Sequence, residues 1–424
     1  MATTISQLWQ RYRSVQLVYR IAAAFVLGSV VGLLVGQRAT VLQPLGDLFV
    51  RLLKMIIVPI VVFTIVMASR QLSPSNLGKI GSQVVVVYLL TTSIAIAVGL
   101  LVSNFLDPGV GLQLAEGSVS PEEAPPLTEV LLGVVPENPI GAMAEGNILG
   151  VITFSLVFGI GMTAVREEVE EGSDVHNGIE MLFDIIEAGA EVMFKVVWGV
   201  MEYGVIGVFA LMAALFGQTG AGAIVDLLML VATLTAAVGI QIGVVYLLLI
   251  VTLLLGQSPL AFLRGCKDAM LTALSIRSST GTLPVTMSNA DENLKINEGI
   301  YSFSLPLGAT INMDGTAMYL GIAAIFTANI VDVHLTIAQQ LSILLTALLA
   351  SVGTAGVPGA SLVMMSVVFS QVGLPLSAVA MIAGIDPLLD RLRTMNNITG
   401  DLAVTALVAK WNDAIDLSSG AWDS

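Results

Sequence analysis

Apolar runs without charged residues recur along the first part of the chain, separated by short polar segments. A helix needs roughly 20 mostly apolar residues to cross the hydrocarbon core of a bilayer. The runs are of about this length or longer, and they occupy residues 21–37, 55–69, 80–106, 146–165, 203–225 and 227–263. This pattern predicts an all-α polytopic membrane protein that begins with a series of membrane-spanning helices.

Beyond residue 257 the simple succession of spans ends. From Val333 to Ile385 the chain has no Asp, Glu, Lys or Arg, a stretch too long for one helix that is divided by SVGTAGVPG at 351–359. RSSTGTLPV at 277–285 interrupts an earlier apolar stretch in the same way. Because glycine and proline break helices, each segment predicts a helix, a break and a second helix.

The two interrupted segments share a Thr-x-x-x-Pro spacing, at Thr280–Pro284 and Thr354–Pro358, which favours a duplicated hairpin. Irregular backbone at membrane depth is found only where it is buried in protein or lines a watery cavity, since lipid offers it no hydrogen-bond partner. Paired, Gly/Pro-interrupted segments in corresponding positions of two halves mark the binding site of a secondary transporter. We therefore expect a ligand to bind at these breaks.

Composition supports the membrane assignment and argues against a soluble enzyme. Hydrophobic residues make up 56% and charged residues 11% of the 424 positions, and the mean hydropathy is +0.90, whereas a soluble domain has about 25% charged residues. The net charge of −14 comes mainly from residues 107–130 and 167–187. So acidic a chain is not expected to bind nucleic acid.

Cysteine and histidine usage gives no support for a metalloenzyme or a hydrolase. Cys266 is the only cysteine, so neither a disulfide nor a thiolate metal site is expected within the chain. His176 and His334 lie far apart, in what we expect to be polar linkers, without HExxH or carboxylate-rich spacing. No nucleophile–base pair accompanies them, and we do not expect an enzyme.

Basic residues predict the orientation, because loops rich in Lys and Arg stay cytoplasmic. We expect the N-terminal segment to be retained, amphipathic and basic. If it lies inside, successive crossings of the membrane place these basic residues inside: Arg11, Arg13, Arg20, Arg70, Lys79, Arg166, Arg264 and Lys267. The outer loops then hold Arg38 and the acidic 107–130 segment. We expect a multi-pass protein of the inner (plasma) membrane with both termini cytoplasmic.

Each interrupted segment is followed by a predicted span with polar residues, at 303–328 and at 378–409. The second span carries Asp390, the adjacent pair Arg393 and Thr394, Asn397 and Asp401, and these steps are three or four residues apart. This spacing places them on one face of a helix. Inserting one Asp or Arg at a helix centre costs roughly 2.5–3.5 kcal/mol, so the face must meet polar groups, a cavity or a ligand. A purely structural network of buried ion pairs is the alternative to a substrate and ion site.

The residue types on this face indicate which ligands they suit. The planar guanidinium of Arg393 matches a carboxylate in a bidentate geometry, and the carboxylate of Asp390 accepts hydrogen bonds from an ammonium group. Together they predict an amino acid with an acidic side chain as the substrate. The oxygens of Asp314, Asn312 and Asp401, with those of Asn397, suit a hard cation, and sodium is the natural candidate.

The same stretches resemble those of a known family. The motifs are SSTGTLPVT at 278–286, LPLGATINMDGTA at 305–317, ASVGTAGVPGA at 350–360 and DRLRTMNNITGD at 390–401, with PENP at 136–139 and LGVITFSLVFG at 149–159 as weaker matches. They resemble the dicarboxylate/amino acid:cation symporter family, the glutamate and aspartate transporters. The motifs stand in the family's order, and the resemblance extends over nearly the whole chain.

The resemblance implies a homotrimeric elevator transporter with eight transmembrane helices, two re-entrant helical hairpins and inverted repeats in each chain. The implied parts are scaffold helices 1–2 (1–79), core helix 3 (80–106), an outer loop with scaffold helices 4–5 (107–221), core helix 6 (222–257), hairpin 1 (258–292), helix 7 (293–330), hairpin 2 (331–373), helix 8 (374–413) and a tail (414–424). A mobile transport core would move against a rigid scaffold in the lipid bilayer.

The resemblance also implies roles for single residues. The implied substrate site consists of Ser278, Ser279, Thr280, Val357, Pro358 and Gly359 at the hairpin tips, with Arg277, Thr316, Asp390, Arg393, Thr394 and Asn397. In it Arg393 would hold the side-chain carboxylate and Asp390 the amino group. The implied sodium sites are Gly308, Asn312, Asn397 and Asp401 for one ion, Thr310, Ser351, Val352 and Thr354 for a second, and Tyr88, Thr91, Thr92, Asn312 and Asp314 for a third.

Three features depart from the family pattern. The chain has a second arginine at both of the positions where members carry one, Arg277 and Arg391, and we expect one of them to pair with a carboxylate or to be exposed, since like charges repel. Leu320 stands where animal members have a glutamate tied to proton coupling, which argues against their proton mechanism. Thr280 replaces a serine and keeps the hydroxyl.

Rival functions come from two classes. A proton-coupled C4-dicarboxylate carrier of the same family would not need the amino-group acceptor Asp390, and a neutral amino acid carrier would not need Arg393. An anion channel lined by Arg277 and Arg391 is the rival outside the carriers. Saturable, sodium-dependent uptake would distinguish a carrier from a channel.

Overall fold

The computed structural model describes residues 17–70, 78–111, 135–220, 222–352 and 360–423, together with Tyr12, Ser14, Val15 and Leu132. These ranges are almost entirely helical, and within them strand-like pairing is limited to one antiparallel bridge between Ile296 and Ile415. The prediction of a helical protein is confirmed for this part of the chain.

The helices are numbered in chain order. The first half contains α1 (Leu17–Val35), α2 (Gln43–Ser69), α3 (Lys79–Leu106), α4 (Pro139–Glu145), α5 (Ile148–Glu168), α6 (Asp174–Thr219) and α7 (Gly222–Ile240), which continues as a π-helix over Gln241–Leu254. The second half contains α8 (Pro259–Ile276), α9 (Ser279–Ser288), α10 (Glu298–Ile311), α11 (Asp314–Ile330), α12 (Ile337–Val352), α13 (Ala360–Gln371), α14 (Ser377–Ala383) and α15 (Asp386–Trp411).

Five helical stretches in the described ranges are long and apolar enough to cross a bilayer. They are Tyr19–Ser69, Lys79–Leu106, Ile148–Glu168, Asp174–Thr219 and Ile224–Leu254. The first of them contains two of the predicted runs, because a 3-10 turn at Gly36–Leu42 joins α1 to α2. The apolar runs of the first half therefore lie in helices that suit a multi-pass membrane protein.

The ends of α6 differ from the sequence prediction. The run at 203–225 predicts one span, but α6 ends at Thr219, and Gly220 takes φ +69°, a left-handed conformation that glycine adopts without steric cost. At its start, Ser173 caps α6 by accepting a hydrogen bond from the His176 N–H at 3.2 Å. His176 thus lies in the first turn of a helix, and its assignment to a linker was wrong.

The first interrupted segment breaks earlier than its glycine and proline predict. Helix α8 ends at Ile276, Arg277 takes φ +59°, and the hydroxyl of Ser278 caps α9 by accepting the Gly281 N–H at 2.9 Å. Pro284 lies inside α9 and does not end that helix. A serine cap and a left-handed arginine, and not the Gly/Pro pair, therefore form the break.

The described residues of each interrupted segment form two helices. Helices α8 and α9 pack against each other, and so do α12 and α13. Residues 353–359, which include the expected tip residues Thr354, Val357, Pro358 and Gly359, lie outside the described residues.

Two large apolar clusters form most of the core, and a small third cluster consists of Val66, Met162, Phe183 and Ile186. One large cluster includes residues of α2, α6, α11 and α13, and the other includes residues of α8, α10, α15 and the C-terminal segment. Met395 of α15 packs against both clusters. The polar face of α15 therefore lies close to where the two clusters meet.

The C-terminal segment folds back on the second cluster. The Ala414 carbonyl accepts the Asn297 N–H at 2.8 Å, and the Trp422 indole N–H donates to the Leu294 carbonyl at 2.8 Å. The indole ring also stacks on Phe262, with the ring centroids 6.3 Å apart. The end of the chain thereby covers α8 and the segment before α10.

We predict that Trp422→Ala opens the buried side of α8 to solvent. Cys266 lies one turn after Phe262 and is fully buried, so loss of the stacked indole should expose its thiol. As the only cysteine, it can be followed by its rate of labelling with a maleimide in detergent, which should rise at least severalfold. The matched control is Trp411→Ala, because Trp411 is 45% exposed; equal labelling rates in both variants would contradict the prediction.

Candidate substrate and cation site

The polar residues of α15 lie on one buried face. Arg393 and Asp401 are each 1% exposed, and Asp390, Thr394 and Asn397 are buried as well. The helix begins with Asp386 and Pro387 in its first turn, where an acidic residue interacts favourably with the positive end of the helix dipole. The spacing seen in the sequence thus becomes a continuous polar stripe inside the protein.

Arg393 is held between two carboxylates and an aromatic ring. Its Nη2 donates to Asp390 Oδ1 at 2.7 Å, and its Nη1 lies 3.0 Å from Asp386 Oδ1. The guanidinium carbon is 4.0 Å from the centroid of the Tyr319 ring, and the Tyr319 hydroxyl donates to Asp386 Oδ1 at 3.1 Å. Sequence reasoning missed Asp386, although its position four residues before Asp390 places it on the same helix face.

Several polar atoms at this arginine are left without a hydrogen bond. Within the described residues, Nε of Arg393 and Oδ2 of Asp390 are buried without a hydrogen-bond partner, and Nη1 of Arg393 has its ion-pair contact with Asp386 but no hydrogen bond. An unsatisfied buried polar group costs about 1–3 kcal/mol, and more when it is charged. The arrangement therefore offers two donors and one carboxylate acceptor, side by side, to a ligand that carries both charges.

The start of α11 packs directly against this face. The helix is interrupted between α10 and α11 at Asn312 and Met313, and the Gly315 N–H donates to Asn397 Oδ1 at 2.7 Å. A Cβ on Gly315 would lie 2.5 Å from the Arg393 carbonyl oxygen, so a larger residue would push the two helices apart. Thr316, the next residue, is buried here as expected for a member of the site.

A second group of polar residues surrounds Asp314, which is fully buried. Its Oδ1 accepts the Thr92 hydroxyl at 2.5 Å, and its Oδ2 accepts the Tyr246 hydroxyl at 2.6 Å and the Gln241 amide at 3.5 Å. Tyr246 and Gln241 come from the π-helix that follows α7. They were not among the predicted residues, because no local motif in that apolar run points to Asp314.

Hydrogen bonds connect this group to Asp401. Thr91 donates to Asn312 Oδ1 at 3.3 Å, and Asn312 Nδ2 donates to Asp401 Oδ1 at 2.8 Å. The structure thus brings together Thr91, Thr92, Asn312, Asp314 and Asp401, which come from α3, the α10–α11 break, α11 and α15.

Tyr88 and Gly308 border the same group. The Tyr88 hydroxyl donates to the Ser304 carbonyl at 3.0 Å. A Cβ on Gly308 would lie 2.5 Å from Asp401 Oδ1 and 2.6 Å from the Tyr88 hydroxyl. Gly308 therefore leaves room for the buried carboxylate of Asp401, with which we expect it to share an ion site.

The remaining expected residues are more scattered. Thr310 and Ser351 bond the carbonyls of Leu307 and Leu348 in their own helices, and Val352 ends α12. At the first break, Ser278 serves as the helix cap, Ser279 is buried and Thr280 is exposed. The hydroxyls of Thr310 and Ser351 thus bond within their own helices.

The two additional arginines lie in different surroundings. Arg277 is buried, with its guanidinium carbon 6.0 Å from the Tyr19 ring centroid. Arg391 is half-buried and its Nη1 donates to the Leu274 carbonyl at 2.5 Å. Leu274 lies in the last turn of α8, where the carbonyls carry partial negative charge and attract a cation. The C-terminal end of α8 therefore stabilises the charge of Arg391.

Comparison with known proteins identifies the family of the chain. A family model described as the sodium:dicarboxylate symporter family matches residues 17–411. The chain is 32% identical over 422 residues to a proton/sodium-glutamate symport protein of Geobacillus stearothermophilus, covering 96% of this chain and 97% of the relative. It is 33% identical over 421 residues to a proton/glutamate-aspartate symporter of Escherichia coli (strain K12), covering 94% of both.

Relatives named for another substrate class match equally well. The chain is 34% identical over 408 residues to a C4-dicarboxylate transport protein of Albidiferax ferrireducens, covering 93% of this chain and 88% of the relative. Sequence identity therefore does not separate the amino acid carriers from the dicarboxylate carriers. That distinction depends on the residues of the site.

Proposed function

The chain belongs to the sodium:dicarboxylate symporter family, and on that premise we propose that it carries L-aspartate or L-glutamate into the cell together with sodium ions. Family and relatives identify a multi-pass membrane symporter and not an enzyme. The substrate and the coupling ion are the proposal, and they rest on the residues of the site.

The observation that carries the substrate proposal is the set of unsatisfied atoms at Arg393 and Asp390. Nε and Nη1 of Arg393 suit the side-chain carboxylate of an acidic amino acid, and Oδ2 of Asp390 suits its ammonium group. A dicarboxylate such as succinate supplies a carboxylate but no ammonium donor. It would leave Asp390 Oδ2 buried without a partner, which disfavours it by the desolvation cost of that oxygen.

The cation proposal rests on two buried carboxylates without a counter-ion. Within the described residues, Asp314 and Asp401 form no ion pair, and their hydrogen-bond partners are neutral hydroxyl and amide groups. Oxygen donors of this kind suit a hard cation such as sodium. An inward sodium gradient also supplies work, since each charge moved across 100 mV is worth about 2.3 kcal/mol.

The transport cycle and the assembly are part of the same proposal. We infer a homotrimer in the plasma membrane with both termini cytoplasmic, eight spans, and re-entrant hairpins at 258–292 and 331–373 that close over the substrate as an elevator-like core moves. The α8–α9 and α12–α13 helix pairs support the hairpins. The anion channel is not favoured, because the relatives are named as symporters and transport proteins.

The first prediction concerns the driving ion and the anchor of the substrate. Purified protein in liposomes should concentrate labelled L-aspartate when sodium is supplied outside, and a proton gradient should not replace the sodium gradient. Arg393→Ala should lower uptake by about a hundredfold or more, because it removes a buried charge that pairs with the ligand and with two carboxylates. Uptake driven by protons alone would contradict the sodium assignment.

The second prediction separates amino acids from dicarboxylates. Asp390→Asn should weaken competition by L-aspartate about 10- to 100-fold, the range of a hydrogen bond to a charged group, and should weaken competition by succinate much less. Arg393→Lys is the matched comparison and should weaken both competitors, because both present a carboxylate. Equal losses for both competitors in Asp390→Asn would favour the dicarboxylate carrier.

A further inference from the structure

Asn396 of α15 lies next to the residues that surround Asp314. It is not among the residues proposed for the substrate or cation sites. Its Nδ2 is 3.3 Å from the Tyr246 hydroxyl, which in turn is 2.6 Å from Asp314 Oδ2. All three residues are fully buried. They form a chain of hydrogen bonds from α15, through the π-helix, to the start of α11.

The direction of this chain follows from the donor and acceptor capacities of its members. A tyrosine hydroxyl has one hydrogen to donate, and an ionised carboxylate can only accept. Because Asn396 offers an N–H to the Tyr246 oxygen, the single hydrogen of Tyr246 is directed to Asp314. With the amide reversed, Asn396 Oδ1 would compete with Asp314 for that hydrogen.

Space for the tyrosine hydroxyl is provided by the glycine one turn after Asn396. A Cβ on Gly400 would lie 2.7 Å from the Tyr246 hydroxyl and 3.2 Å from Asn312 Nδ2. Asn396 and Gly400, four residues apart on α15, therefore hold the Tyr246 hydroxyl in place against Asp314.

The bonded hydroxyl in turn determines how Asp314 is presented. Tyr246 and Gln241 occupy Oδ2, while Oδ1 faces the Thr92 hydroxyl on the α3 side, next to Thr91 and its partner Asn312. A carboxylate held in this way keeps one oxygen turned towards the α3 hydroxyls. Rotation of the carboxylate would break the bonds to Tyr246 and Thr92 together.

We propose that Asn396 is a positioning residue for sodium, acting through Tyr246 to orient the Asp314 carboxylate. The proposal rests on sodium coupling as set out under the proposed function. It assigns Asn396 no contact with the ion or the substrate.

A purely structural role does not account for this asparagine. Within the described residues its Oδ1 is buried without a hydrogen-bond partner, and such an acceptor lowers the stability of the folded state. Valine at this position would remove the unsatisfied oxygen while keeping much of the side-chain volume. Replacing Asn396 with valine should therefore lower the sodium affinity without lowering the stability of the folded state.

The test measures the sodium dependence of labelled L-aspartate uptake in proteoliposomes, together with Tm in detergent. Asn396→Val should raise the half-saturating sodium concentration roughly three- to tenfold, the range that one intramolecular hydrogen bond supplies, while Tm stays equal or rises. Asn396→Thr serves in its place if the valine variant does not reconstitute. Thr399→Val is the matched control, because the Thr399 hydroxyl bonds the Met395 carbonyl in its own helix; its sodium dependence should not change.

A double-mutant cycle tests whether Asn396 acts through Tyr246. Tyr246→Phe should also raise the half-saturating sodium concentration, and adding Asn396→Val to it should change that concentration little further. An unchanged sodium dependence in Asn396→Val, or effects of the two variants that multiply, would overturn the inference alone. Wild-type uptake that does not need sodium would overturn the proposed function and the inference with it.

Discussion

A buried arginine inside a membrane protein is the constraint on which the rest of the structure depends. Arg393 is 1% exposed, and an unpaired charge at that depth would be expensive. Asp386 and Asp390 balance it, and the ring of Tyr319 covers one face of the guanidinium. The ammonium group of an amino acid substrate would bind Oδ2 of Asp390, while the substrate's own carboxylate would bind Nε and the remaining N–H of Nη1 of the arginine.

The polar residues around Arg393 and those around Asp314 and Asp401 come largely from the same two chain segments. Binding of the proposed substrate and binding of the proposed cation could therefore be coupled through these segments. Helix α15 supplies Arg393 to one group and Asp401 to the other, and the α10–α11 break meets both. Gly315 bonds Asn397, and Asn312 bonds Asp401. A cation that neutralises Asp314 and Asp401 would fix the conformation of the break, and the break in turn fixes the position of Thr316 beside the substrate. Binding of either ligand would then favour binding of the other.

Those parts of the molecule that depend on local periodicity could be predicted from the sequence. The apolar runs indicated the helices of the first half, and the spacing of the polar residues on α15 indicated their common face. Features that depend on distant partners could not be predicted. The break at Arg277 follows from a serine cap and a left-handed arginine, and Tyr246 contacts Asp314 across 68 positions of sequence. The apolar residues around Tyr246 in the sequence give no sign of that contact. Asp386, in contrast, lies one turn before Asp390, and this spacing could have placed it on the polar face of α15.

The most direct test of the central claim is an experimental structure of the protein with L-aspartate and sodium bound. We expect the side-chain carboxylate of the ligand at Nε and Nη1 of Arg393, its ammonium group at Oδ2 of Asp390, and an ion beside Asp314 or Asp401. A ligand bound elsewhere, with those atoms of Arg393 and Asp390 still without partners, would contradict it.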